Sequence, residues 1–238
     1  MSEVVVVTGS SSGIGRAVAE RFARDGARVV VNSSRSVEEG EALARSLPEA
    51  VYVQGDVSHE EDARRLVASA LERFGRLDVV VNNAGTTKRV AFPDLDGVDD
   101  GLWQRILGVN LMGPWYLIRA AVPALREARG GIVNVGSVAG VFAGGSSLPY
   151  AVSKAALHHL TRTLAQALAP EVRVNAVAPG LVETPWTAGW EANQAIIERT
   201  PLARAGTPEE IADAVAFLAR AAFATGQVVV VDGGLTLT

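Results

Sequence analysis

The sequence has no cysteine, which excludes disulfide cross-links, thiolate nucleophiles and cysteine-ligated metals. Histidine is scarce, with three residues: His59, His158 and His159. The last two are neighbours, so on a helix they point to different faces; they read as surface or packing residues, and no metal site is expected. No apolar run approaches the roughly 20 residues needed to span a bilayer. The chain starts Met-Ser-Glu and then four valines, without the basic start and longer apolar core of a secretory signal. A soluble, cytoplasmic protein with no membrane partner is the expectation. A net charge of -4 also argues against a nucleic-acid partner. Lysine is the remaining scarcity: Lys88 and Lys154 stand against 20 arginines. Lys88 has no evident role, whereas Lys154 asks for a reason that arginine would not satisfy.

What is present is an alternation of short valine-rich runs with longer amphipathic ones. Runs at 4–7, 28–31, 51–53, 78–81, 131–135, 172–177 and 227–231 read as strands buried on both faces. Between them, 14–24, 38–46, 60–74, 102–126, 151–169 and 209–220 are mostly rich in Ala, Leu, Glu and Arg and read as helices. The pattern predicts an α/β fold of Rossmann type: a doubly wound parallel sheet of about seven strands with helices on both faces. With 238 residues, 48% of them hydrophobic, and no repeat or linker-like stretch, residues 1–238 are expected to form one cofactor-binding and catalytic domain. Ligands should gather outside the carboxyl ends of the strands.

Three strand ends carry small residues there. The first gives Thr8-Gly9-Ser10-Ser11-Ser12-Gly13-Ile14-Gly15, where glycines permit a tight turn and close approach of N–H groups to phosphate at a helix N-terminus. Gly9 and Gly13 are four apart, so this is not the G-x-G-x-x-G spacing, and no Lys-Ser or Lys-Thr follows to make a P-loop. A plain strand-to-helix turn is the structural alternative. The second end gives Asn82-Asn83-Ala84-Gly85, which reads equally well as a turn, and the third Gly136-Ser137. Tyr150 and Lys154 then lie four apart in a helical stretch and share a face. A nearby ammonium favours phenolate, so Lys154 is expected to lower the Tyr150 pKa toward the working range of an acid/base catalyst. Ser137 would bind the substrate oxygen; buried structural roles for the Tyr and Ser are the bland alternative.

Thr8-Gly9-x-x-x-Gly13-Ile14-Gly15, Asn82-Asn83-Ala84-Gly85, Ser137, Tyr150-x-x-x-Lys154 and Pro179-Gly180, in this order and spacing, resemble the short-chain dehydrogenase/reductase family along essentially the whole chain, with 3-ketoacyl reductases among its members. The resemblance implies a nicotinamide-dependent oxidoreductase interconverting a carbonyl and a secondary alcohol. It implies Tyr150 as general acid/base, Ser137 as carbonyl-positioning group, Lys154 as ribose holder and Asn110 as support for a proton relay. It implies cofactor contacts from Gly9, Ser11, Ser12, Gly13, Ile14 and Gly15, from Asp56 and Val57 at the adenine, from Asn82, Ala84 and Gly85, and from Pro179, Gly180, Val182 and Thr184 around the nicotinamide. It also implies a homotetramer.

By family alignment Ser33 stands where NAD-selective sites carry a carboxylate. With Ser33, Ser34 and Arg35 there, NADP(H) is expected to be preferred, NAD(H) remaining usable. Residues 183–200, with Trp186, Trp190, Ile196 and Ile197, read either as an apolar lid or as packing for a neighbouring subunit. The competing functional class is a dinucleotide-binding regulator without turnover, which the complete set of Asn110, Ser137, Tyr150 and Lys154 argues against.

Overall fold

The computed structural model describes residues 2–238. Seven strands, β1 (Val4–Val7), β2 (Arg28–Ser33), β3 (Ala50–Gln54), β4 (Val79–Asn82), β5 (Gly131–Val135), β6 (Arg173–Pro179) and β7 (Val228–Val231), form one parallel sheet in the order β3-β2-β1-β4-β5-β6-β7. The helices are α1 (Gly13–Arg24), α2 (Val37–Ser46), α3 (Glu60–Phe74), α4 (Asp100–Leu107), α5 (Gly113–Ala128), α6 (Leu148–Leu168), α7 (Asn193–Arg199) and α8 (Pro208–Arg220).

The run of four valines in β1 is unbroken because both faces of the strand are covered. Side chains alternate across a sheet, so Val5 and Val7 meet Phe22 of α1 and Ile211 of α8, while Val4 and Val6 meet Leu66 of α3 and Leu117 of α5. Strand order reverses between β1 and β4, which places the loops after these two strands side by side at the carboxyl edge.

One expectation about the chain path changes. The helix expected over 102–126 is two helices joined by a π turn, Gly108–Met112, that carries the buried Asn110. Gly113 follows it, and a Cβ there would fall 2.8 Å from Val57 Cγ2, so the break is packed closely against the loop after β3. The segment 183–200 contains the short helix α7, which its mixed composition did not announce. The approach to β7 is closed from within: buried Asn175 donates from Nδ2 to the Ala224 carbonyl at 2.8 Å and accepts from Gln227 N–H at 3.1 Å.

Candidate active site

A cleft of about 2010 Å3 runs across the carboxyl edge of the sheet. At one end is the glycine loop. Gly9 has φ +61°, and a Cβ there would sit 2.8 Å from the Ala84 Cα, so glycine is required both by conformation and by the neighbouring loop. That loop is stitched on by Thr8, whose Oγ1 accepts from the N–H groups of Asn83 and Ala84, both at 3.0 Å. Asn83 returns bonds from Nδ2 to the Thr8 and Gly9 carbonyls at 2.9 and 3.0 Å. Ser12 caps α1 without a side-chain cap bond, leaving first-turn N–H groups for an anion.

Ser33, Ser34 and Arg35 line the next part of the cleft, with Asp56 and Val57 opposite. The Ser33 hydroxyl is already engaged: it donates to the Ser36 carbonyl at 2.8 Å and meets the Tyr52 phenol at 2.9 Å. This differs from the expectation that Ser33 would offer its proton to phosphate, because burial beside Tyr52 supplies a competing partner. Ser34 and Arg35 stay exposed. Burial would raise the Asp56 pKa, but bonds from the Ser58 hydroxyl and N–H hold it below the usual value. Asn32, which sequence reading passed over, ties the region together by donating to the Val53 and Gly55 carbonyls at 3.1 and 3.0 Å and accepting from Gly9 N–H at 3.3 Å. Its only sequence signal is a polar residue near the end of an apolar strand.

The opposite end holds Ser137, Tyr150 and Lys154 together. Lys154 is 4% exposed, its ammonium donates to the Val135 carbonyl at 2.8 Å, and burial lowers its pKa to about 8. It lies 5.7 Å from the centre of the Tyr150 ring. Burial pushes the Tyr150 phenol up, and the Ser137 hydroxyl pulls it back. The shift runs opposite to the lowering expected from Lys154, because burial disfavours charge on the phenol and the Ser137 hydroxyl offsets only part of that. Ser153, between them, donates to the Tyr150 carbonyl at 2.7 Å and accepts from Asn110 Nδ2 at 3.0 Å. Asn110 also brackets Thr86, accepting its N–H at 2.8 Å and donating to its carbonyl at 3.0 Å.

Gly13, Ile14, Ser11, Ala84, Gly85, Pro179, Gly180, Val182 and Thr184 line the same cleft. Gly15, Asn82 and Asn110 stand behind its wall. A Cβ on Gly15 would fall 2.3 Å from the Gly9 carbonyl oxygen, so its role is packing of helix on loop. Asn82 donates to Asn134 Oδ1 at 2.8 Å inside the sheet. Trp186 closes the catalytic end: its ring centre is 6.4 Å from that of Tyr150, and a Cβ on Gly85 would touch it at 3.4 Å. His158 is buried beneath this end, where a Cβ on Gly136 would collide with its Nε2 at 2.1 Å; His159 faces solvent. The packing and surface readings of the pair therefore apply one to each.

A glycine cradle at the switch point and a hydroxyl–phenol–ammonium cluster at the other end describe an oxidoreductase that acts on alcohol or carbonyl groups. The comparisons agree. The family model described as Enoyl-(Acyl carrier protein) reductase matches residues 9–236. A granaticin polyketide synthase protein of Streptomyces violaceoruber, named for ketoacyl reduction, is 54% identical over 239 residues, covering 98% of this chain and 96% of the relative. The 3-oxoacyl-(acyl-carrier-protein) reductase FabG of Thermotoga maritima is 36% identical over 247 residues, covering 99% of this chain and 98% of the relative. A crystal structure titled as a short-chain dehydrogenase/reductase, glucose/ribitol dehydrogenase, from Brucella melitensis superposes with a TM-score of 0.90 at 37% identity, covering 98% and 96% of the two chains. The chain belongs to the short-chain dehydrogenase/reductase family, whose members use a nicotinamide dinucleotide.

Proposed function

We propose that this chain is an NADP(H)-preferring reductase of 3-ketoacyl thioesters with Tyr150 as its general acid/base. The observation that carries the reading is one cleft holding both the glycine cradle and the Ser137, Tyr150 and Lys154 cluster. The fit to a dinucleotide rests on two features. A Cβ would fill the cradle at Gly9, and the buried Lys154 ammonium has one backbone partner, leaving donor capacity that ribose hydroxyls would use. In this reading Gly9, Ser11, Ser12, Gly13 and Ile14 hold the diphosphate. Asp56 and Val57 flank the adenine, and Ala84, Gly85, Pro179, Gly180, Val182 and Thr184 surround the nicotinamide half, with Gly15 and Asn82 supporting from behind. When bound, the coenzyme supplies or accepts the hydride.

Ser137 donates to the substrate oxygen, and Tyr150 gives that oxygen its proton during reduction. Burial raises the phenol's pKa, so at neutral pH Tyr150 carries the proton it would transfer. The Asn110 side chain is taken up by Thr86 and Ser153, so its contribution to a proton relay falls to the main chain of the π turn. At the adenosine end Ser34 and Arg35 are open to a 2′-phosphate, with no carboxylate at 33 to repel it. The substrate class follows the two relatives named for ketoacyl and 3-oxoacyl reduction.

We also assign the chain to the cytoplasm, where that coenzyme pool lies, as one unit over residues 1–238 and as a homotetramer. Exposed Phe223, Val229 and Val230 around the edge strand β7 support self-association. The test is NADPH oxidation with 3-ketoacyl thioesters and simple ketones, set against NADP+ reduction with glucose and ribitol. A thioester kcat/KM at least tenfold above every other substrate is expected; preference for a sugar overturns the substrate class. Light scattering should give four times the chain mass, and a monomer would refute the assembly.

A further inference from the structure

Lys88 and Arg89 stand exposed on the segment leaving β4 past Gly85, and neither makes an ion pair among the described residues. Their base is firm. The Thr87 and Ser146 hydroxyls meet at 2.6 Å, and Val90 N–H donates to the Ser146 carbonyl at 2.9 Å. The Arg89 guanidinium lies 5.6 Å over the Trp190 ring, which uses its face and leaves its N–H edge open. These two cations, Trp186 and Trp190 line a shallow depression of 410 Å3 that shares its walls with the main cleft. At its inner side Trp186 is the indole that approaches Tyr150. A substrate with its carbonyl at Tyr150 and a tail running past Trp186 therefore meets two unpaired cations.

We propose that Lys88 and Arg89 bind the phosphate of a substrate carried on a phosphopantetheine arm. The inference deepens the ketoacyl reading and rests on it. The indole walls suit the neutral, flexible arm, and a point-charge ammonium beside an open guanidinium edge suits the phosphate at its end. Both a carrier protein and coenzyme A present this group.

The test is calorimetric titration, with coenzyme saturating, of 4′-phosphopantetheine and of pantetheine into the parent and the Lys88→Gln/Arg89→Gln double variant. The parent should bind the phosphorylated arm about tenfold more tightly, and the double variant should bind both alike. Equal binding by the parent, or discrimination that survives in the double variant, overturns the proposal. Turnover of 3-ketoacyl thioesters by the same preparations reports separately on the ketoacyl reading, since the titration needs no chemistry. In a second arm the same 3-ketoacyl group is presented on an acyl carrier protein and on coenzyme A. The form with the larger loss of kcat/KM in the double variant identifies the natural source, and no loss on either counts against the site.

Discussion

Replacing Lys154 by Met should inactivate the enzyme and yet stabilise the coenzyme-free protein, because the fold holds this ammonium at a cost. Burial takes its pKa from 10.5 to about 8. A folded-state pKa below the unfolded one means that the unfolded chain binds the proton more tightly, so stability rises as pH climbs from about 8 to 10.5. Below that window the full penalty stands, about 3 kcal/mol at 1.36 kcal/mol per unit. At about pH 9.5 less than half of that penalty is left. Met fills similar space but leaves the Val135 carbonyl without its donor, which costs about 1 kcal/mol. The net gain is about 2 kcal/mol at about pH 6.5, or roughly 4 °C in Tm for a chain of this length, and near zero at about pH 9.5. Thermal and urea unfolding of the coenzyme-free parent and variant at both pH values measure it. A variant less stable than the parent at the lower pH, or a gain that does not shrink at the higher one, would refute the reasoning.

Tyr150→Phe removes the transferable proton while keeping the ring against Trp186; kcat should fall by about 10²–10⁴, with coenzyme Kd little changed by fluorescence titration. His158 is held neutral by burial and by the Lys154 charge, its pKa lowered from 6.5 to about 4. The unfolded chain takes the proton first, so stability present above pH 6.5 is lost as pH falls toward about 4, by up to about 3 kcal/mol. His158→Leu should flatten that acid limb in urea titrations at stepped pH, and an unchanged limb would show that other groups cause it. Arg35→Ala should lower kcat/KM for NADPH about tenfold more than for NADH, and Ser33→Asp should shift preference toward NADH; an Arg35→Ala variant with undiminished NADPH use would defeat the coenzyme assignment.

The strand and helix pattern, the parallel sheet and the position of the ligand edge were all legible from the chain alone. Seven valine-rich runs separated by amphipathic stretches admit few other arrangements when each strand must be covered on both faces. Glycines at 9 and 13 and the Tyr150–Lys154 spacing were legible for a similar reason: turn conformation and helical periodicity are local. Tertiary packing decided what local rules do not reach. It broke the helix at the π turn where Gly113 meets Val57, and it spent the Asn110 side chain on Thr86 and Ser153. It turned the Ser33 hydroxyl to Tyr52, a residue 19 positions away. It also set the Tyr150 and Lys154 acidities, because desolvation depends on every neighbouring element and not on the two residues' separation in the chain.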